Sequence, residues 1–191
     1  MQHRVANSLQ IIASVLMQSA RRVQSEESRQ HLQNAYQRVM SLTGLQKQLA
    51  VSSADSIPLR QYFAGLCDSI GASMIDEKGG ITLNSTTDDS SANANESTSL
   101  GLIVTELVIN ALKHAFPDRD RTGEILVDYK TQGTGFALIV SDDGIGIAAS
   151  GEPTTPGLGT GIVEALSRHL GAIVERIDTA PGTRIEIVRA A

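Results

Sequence analysis

From Val5 the apolar positions run Val5, Leu9, Ile12, Leu16 and, after the small Ser19, Val23, alternating steps of four and three like a coiled-coil seam. That spacing predicts a helix that seeks other helices. Ser25, with Ser28 three residues on and Glu26 and Glu27 where a first turn would lie, predicts a helix restart. A second apolar stripe follows through Leu32, Ala35, Val39, Leu42, Leu45 and Leu49, which gives an αα-hairpin. Two helices of about 20–25 residues cannot bury both stripes alone, so a second copy completing a four-helix bundle is expected.

Residues 51–57 lose this periodicity ahead of Pro58, which suits the first turn of a further helix through Tyr62, Phe63, Leu66 and Ile70. Gly79-Gly80 and a short strand, Ile81 to Leu83, come next, and residues 84–99, rich in Ser, Thr, Asn and Asp, read as a polar connection. Leu100, Ile103, Val104, Leu107, Val108, Ala111, Leu112 and Ala115 then form a full core stripe on a helix over 100–116, ended by Pro117. Two β-rich runs, Ile125 to Tyr129 and Phe136 to Val140, flank Gly133 and Gly135 as a hairpin. A glycine-rich stretch (144–161), a helix from Ile162 to Leu170 and strands at Ala172–Ile177 and Thr183–Val188, separated by Pro181-Gly182, complete the chain. Strands and helices mix without regular βαβ alternation, so the expected class is α+β, a helical hairpin followed by a two-layer α/β sandwich. The expected division is a hairpin over 1–50, a linker over 51–57 and a second domain over 58–191.

Composition sharpens this picture. Aromatic residues make up 3% of the 191-residue chain and Trp is absent, leaving little for base stacking, so nucleic acid is not an expected ligand. The single Cys67 can form neither an internal disulfide nor a cysteine zinc site, as in a reducing cytoplasm. No apolar run reaches the ~18–20 residues of a membrane span, so this segment is expected in the cytoplasm without inserting into a membrane. Residues 1–50 carry a net charge of +4 and the remainder −9, which marks two electrostatic halves.

The residues with chemistry concentrate in the second half. Glu106, Asn110, Lys113 and His114 share the face of the 100–116 helix opposite its core stripe. Oxygen donors of the Glu and Asn type suit Mg²⁺, and Lys and His suit phosphate oxygens, although the same residues also make an ordinary solvated face. At Ser141-Asp142-Asp143-Gly144-Ile145-Gly146 a strand end delivers a carboxylate into a glycine turn. There it can accept from an exocyclic amine while the glycines admit a flat ring. Gly157-Leu158-Gly159-Thr160-Gly161 leads into a helix, whose N-terminus suits anions. It is neither a Walker loop nor a Rossmann fingerprint.

In this order the segment Glu106–His114, the Asp142-x-Gly144-x-Gly146 turn and the 157–161 run resemble the N, G1 and G2 boxes of the GHKL (Bergerat-fold) ATPases. The leading His3-Arg4-Val5-Ala6-Asn7-Ser8-Leu9-Gln10 resembles the phosphoacceptor motif of sensor histidine kinases from a subfamily related to the HWE kinases. The resemblance spans nearly the whole chain. It implies that His3 accepts a phosphoryl group from ATP, that Asn110 and Glu106 hold Mg²⁺, and that Lys113 and His114 face the triphosphate. It further implies that Asp142 reads the adenine amine, that Gly144 and Gly146 shape the pocket, and that Gly159, Thr160 and Gly161 bound the phosphates and lid. The implied product is passed to an aspartate of a response-regulator receiver domain, and the implied assembly is a homodimer.

The chain departs from the family pattern at Asp143, where Asn is frequent, at Thr160-Gly161, which replaces a Leu-containing ending, and at Ala6, where the acceptor motif usually has Lys. With Trp absent, the WxE element of the HWE group proper is missing. The residues themselves agree with an acceptor role for His3. At about 100° per residue His3 lies roughly 140° from the seam centre between Val5 and Leu9, so its imidazole points outward, with Asn7 on the same face. An unperturbed imidazole with a pKa near 6.5 is largely neutral, and so nucleophilic, at neutral pH. A histidine phosphotransferase of the same architecture without kinase activity is the alternative, and the three filled nucleotide boxes weigh against it. A chain that begins two residues before His3 is expected to follow a sensing part, which could anchor the whole in a membrane.

Overall fold

A computed structural model of the protein describes residues 56–75, 80–117, 122–146 and 158–191, with residues 17–19, 21, 23, 25, 28, 29, 32 and 35 nearer the start. The chain divides into two compact units, Met1–Ala54 and Asp55–Ala191. In the first, residues 17–19 and 21 are helical, Val23 and Ser25 are not, and Ser28, Arg29, Leu32 and Ala35 are helical again. The break is capped from both sides. The Ser28 N–H donates to Ser25 Oγ at 3.3 Å, a serine N-cap of the restarting helix, and the Arg29 guanidinium donates to the Val23 carbonyl at 3.2 Å. The expected restart at Ser25 is therefore present; the seam residues Val5, Leu9, Ile12 and Leu16 lie outside the described residues.

The second unit is an α+β sandwich. Its elements in chain order are β1 (Ile57–Pro58), α1 (Leu59–Met74), β2 (Ile81–Thr87), β3 (Ser91–Ala92), α2 (Ala94–His114), β4 (Gly123–Gln132), β5 (Gly135–Asp142), α3 (Leu158–His169), β6 (Ile173–Asp178) and β7 (Thr183–Arg189). Five strands form one sheet in the order β2-β4-β5-β7-β6, with β2 parallel to β4 and every other pair antiparallel. Alternation along the central strands decides the buried face: Ile125, Val127 and Tyr129 of β4 and Phe136, Leu138 and Val140 of β5 are buried, and the residues between them face outward. Against the buried face lie α1, which packs on β2, and α2, which packs on β4 and β5, while α3 packs on α2 and β6.

The polar connection expected over 84–99 is not a connection. Strand β2 continues to Thr87, β3 follows, and α2 starts at Ala94, capped by the Asn93 side chain, which accepts from the Glu96 N–H at 2.9 Å. Composition conceals the strand because β2 is an edge strand whose outward positions, Thr82, Asn84 and Thr86, are exposed. It conceals the helix start because the first turns of α2 are Asn, Glu, Ser and Thr, although Ser97 and Ser99 are buried.

The segment that opens the unit pairs with β3 in a second, two-stranded sheet. Ile57 pairs with Ala92 and Pro58 with Ser91, the Leu59 N–H donates to the Ser90 carbonyl at 3.0 Å, and Arg60 lies 2.9 Å from Asp89. Asp88 anchors this strap. Its carboxylate accepts from the Ser90 N–H at 3.2 Å and from both the N–H and hydroxyl of Thr131 at 2.7 Å.

Candidate nucleotide-binding site

The helix α2 carries four of the expected residues, but not on an exposed face. Glu106 is only 3% exposed, Asn110 is half-buried, and Lys113 and His114 are exposed in the last turn. The alternative of an ordinary solvated face therefore fits only Lys113 and His114: through its middle α2 is buried on most sides, Thr105, Glu106 and Ile109 included, because α1 and α3 pack beside it over the sheet. A carboxylate so deep is costly to desolvate, unlike one on a solvated face. Lys113 and His114 sit where the negative end of the helix dipole favours cations.

Asp142 ends β5, opposite Ile125 of β4 on one side and Thr183 of β7 on the other. Its Oδ1 accepts the Gly144 N–H at 3.0 Å, and the Thr183 N–H also donates to the carboxylate. Partial burial pushes the Asp142 carboxyl above the ordinary carboxylate range, and the neighbouring Asp143 charge acts in the same direction against those two N–H donors.

The glycines of this turn are close-fitted. A Cβ on Gly144 would collide with Ala115, the C-cap residue of α2, and the next residue, Ile145, donates its N–H to the Ala115 carbonyl at 3.0 Å. Gly146 has φ +79°, and a Cβ there would lie 3.1 Å from Asp178 Oδ1 and 3.2 Å from the Gly182 carbonyl oxygen. Gly182 in turn has φ +97° and sits directly against the Asp142 carbonyl.

The helix α3 begins at Leu158, four residues earlier than its apolar pattern indicates, so Gly159, Thr160 and Gly161 form its first turn instead of preceding it. The small residues there lack the apolar stripe by which helices are read. The N–H groups of a first turn have no intrahelical acceptor, and the space around a Gly161 Cβ is open. Gly159 is buried and Gly161 exposed.

The fold therefore joins the Asp142–Gly146 turn to the end of the helix that bears Glu106, Asn110, Lys113 and His114, with α3 packed along that helix. His3 and Gly157 lie outside the described residues. Sequence reasoning missed Gly182 and Thr183, seen only as a turn and a strand start. Their contact with Asp142 depends on the pairing of β5 with β7, a non-local relationship whose only local trace is Pro181-Gly182-Thr183.

Comparison with known proteins decides what this arrangement belongs to. Residues 1–74 match the family described as histidine kinase, and residues 82–189 match the histidine kinase-like ATPase domain. The chain belongs to the histidine kinase family. Among curated kinases it is 31% identical over 146 residues to the sensor histidine kinase PdtaS of Mycolicibacterium smegmatis, covering 76% of this chain and 29% of that protein. It is 30% identical over 195 residues to the blue-light-activated histidine kinase 2 of Erythrobacter litoralis, covering 97% of this chain and 54% of the other. The kinase chain thus spans less than a third of the first relative and about half of the second. The solved histidine kinase domain of the Erythrobacter litoralis EL346 blue-light-activated histidine kinase superposes with a TM-score of 0.70 at 26% identity, over 95% of this chain and 93% of that one.

The residues fit the groups the family implies. Among the described residues no group of three or more His, Cys, Asp or Glu is gathered to hold a metal ion by itself. A buried carboxylate and an amide one turn apart, Glu106 and Asn110, supply instead the few hard oxygens that suit a Mg²⁺ ion sharing its shell with phosphates and water. No helix among the described residues is long and apolar enough to cross a membrane.

Proposed function

We propose that this chain is the catalytic core of an ATP-dependent protein histidine kinase that phosphorylates His3 and passes the phosphoryl group to an aspartate on a response-regulator receiver domain. The observation that carries the reading is the Ile145 N–H bond to the Ala115 carbonyl at 3.0 Å, which fastens the turn after Asp142 to the helix of Asn110. One end of an elongated ligand can then be read by the Asp142 carboxylate while the other meets Asn110, Lys113, His114 and the first turn of α3. In this reading Asp142 accepts from the adenine amine, and Gly144 and Gly146 leave room for the ring. Lys113, His114 and the N–H groups of Gly159 and Thr160 in the first turn of α3 attract the phosphates, with Gly161 bounding them.

Glu106 and Asn110 would hold Mg²⁺, which neutralises charge on the phosphate oxygens when bound. A neutral His3 ring nitrogen attacks the γ-phosphorus, the N–P bond forms as the bond to the bridging oxygen breaks, and ADP leaves. The core acts as a homodimer in the cytoplasm, with the 5–49 seams forming the bundle. Calorimetric titration with ATP and Mg²⁺ tests the site: the parent binds, and Asn110→Asp, which sets a second negative charge beside Glu106, binds at least tenfold more weakly by the cost of one lost charge-assisted contact. Equal affinity in the two proteins contradicts the assignment.

A further inference from the structure

The β4–β5 ladder ends at the pair Ile125–Asp142, and the next rung is built differently. The Asp143 N–H donates to the Glu124 carbonyl at 3.2 Å, as a ladder rung should, but the Glu124 N–H donates at 2.7 Å to Asp143 Oδ1, a side-chain atom. The carboxylate occupies the place that the main-chain carbonyl of residue 143 would take in a continued antiparallel rung. With its carbonyl released from the ladder, the chain is free to leave the sheet at that residue. It does so at once: the Gly144 N–H turns back to Asp142 Oδ1, and the Ile145 N–H reaches the end of α2. The Glu124 side chain is itself held, its Oε1 accepting from Asn84 Nδ2 at 3.1 Å, so the rung is tied across three strands.

We infer that Asp143 is a positioning residue for nucleotide recognition: its carboxylate closes the last rung of the β4–β5 ladder and so sets the turn that aims Asp142 and its glycines at the ligand. The inference rests on the nucleotide-site reading above. It assigns Asp143 a task that an asparagine, with the same side-chain oxygen, could also perform. Both offer a short side-chain oxygen at the same distance from the main chain, whereas Glu carries the acceptor one methylene too far and Ala has none.

The test compares Asp143→Asn, Asp143→Ala and Asp143→Glu with the parent by calorimetry against ATP and GTP, with thermal unfolding and amide hydrogen exchange at Glu124 as companions. Asp143→Asn should bind ATP within about twofold of the parent and keep the Glu124 amide protected. Asp143→Ala should lose about tenfold in ATP affinity, the equivalent of one charge-assisted hydrogen bond, with a faster-exchanging Glu124 amide and a reduced preference for ATP over GTP. Loss of that preference separates positioning of the base-reading carboxylate from a general loss of stability, which leaves the ratio unchanged. Asp143→Glu should follow Asp143→Ala, so the comparison survives if the alanine variant does not fold. A parent that binds ATP while both the Ala and Glu variants bind it equally well, or a ratio that stays fixed as affinity falls, overturns the inference alone. A parent that binds no ATP overturns the nucleotide reading and this inference with it.

Discussion

The main-chain N–H of Ile145 donates to the carbonyl of Ala115 at 3.0 Å. Ala115 is the C-cap of α2, and a carbonyl at that position has no partner within its own helix, so the glycine turn after Asp142 acts as the cap. One bond thereby makes the two halves of the candidate site a single body: what moves Asp142 also moves the last turn of the helix that carries Asn110, Lys113 and His114.

The closeness of that joint gives a first prediction. Gly144→Ala brings a methyl into Ala115, so the turn must lift from the helix end. Stability should fall by about 1–3 kcal/mol, the usual range for overpacking, and ATP affinity should fall with it. Urea unfolding and calorimetry on the same variant check both. An alanine variant with parental stability and affinity would show that the turn and the helix are not tightly joined.

Asp142 gives a second prediction through its pKa. Burial raises its folded-state value above that of the unfolded chain, about 3.9 for an aspartate. Between those two values the folded state binds more protons than the unfolded state, so the Asp142 contribution to stability falls as pH rises through the window and remains a cost at neutral pH. Asp142→Asn removes that cost. At pH 7 the variant should unfold no lower, and by this argument higher, than the parent, yet bind ATP far more weakly. In the parent, ATP affinity should decline on acidification at a pH above the ordinary carboxylate range. A variant that is both less stable at pH 7 and fully competent in binding contradicts this account.

How far the chain could be read beforehand follows from where its signals are local. The Ser25 restart, the 100–115 core stripe and the Asp142-x-Gly144-x-Gly146 turn are short-range patterns of apolar spacing, capping and glycine, and each has its counterpart in the structure. Strand β2 beyond Leu83 was hidden by polar outward residues on a sheet edge, and the first turn of α3 by glycines without an apolar stripe. The burial of Glu106 and the approach of Gly182 and Thr183 to Asp142 depend on which elements lie side by side, and no window of the sequence encodes that.

The strap on Asp88 supplies a third prediction. Burial pushes its carboxyl upward, but hydrogen bonds from Ser90 and Thr131 outweigh this and hold it below the ordinary range. A lowered folded-state value means that the contribution is present above the unfolded pKa and is lost as pH falls through the folded one. Asp88→Ala should cost about 1–2 kcal/mol at neutral pH, the scale of lost hydrogen bonds at a half-buried site, with a smaller difference from the parent in strong acid. Denaturation series at several pH values would reveal the convergence. A difference that grows on acidification contradicts the assignment.

The central claim is that the nucleotide site serves a histidine acceptor, and labelling with γ-labelled ATP and Mg²⁺ tests it most directly. The parent should acquire acid-labile, base-stable phosphate, the behaviour of a phosphoramidate and not of a phosphoserine. His3→Gln should bind ATP with parental affinity and acquire none. Acid-labile phosphate accumulating on His3→Gln at the parental rate would contradict the account, because the acceptor would then lie elsewhere in the chain.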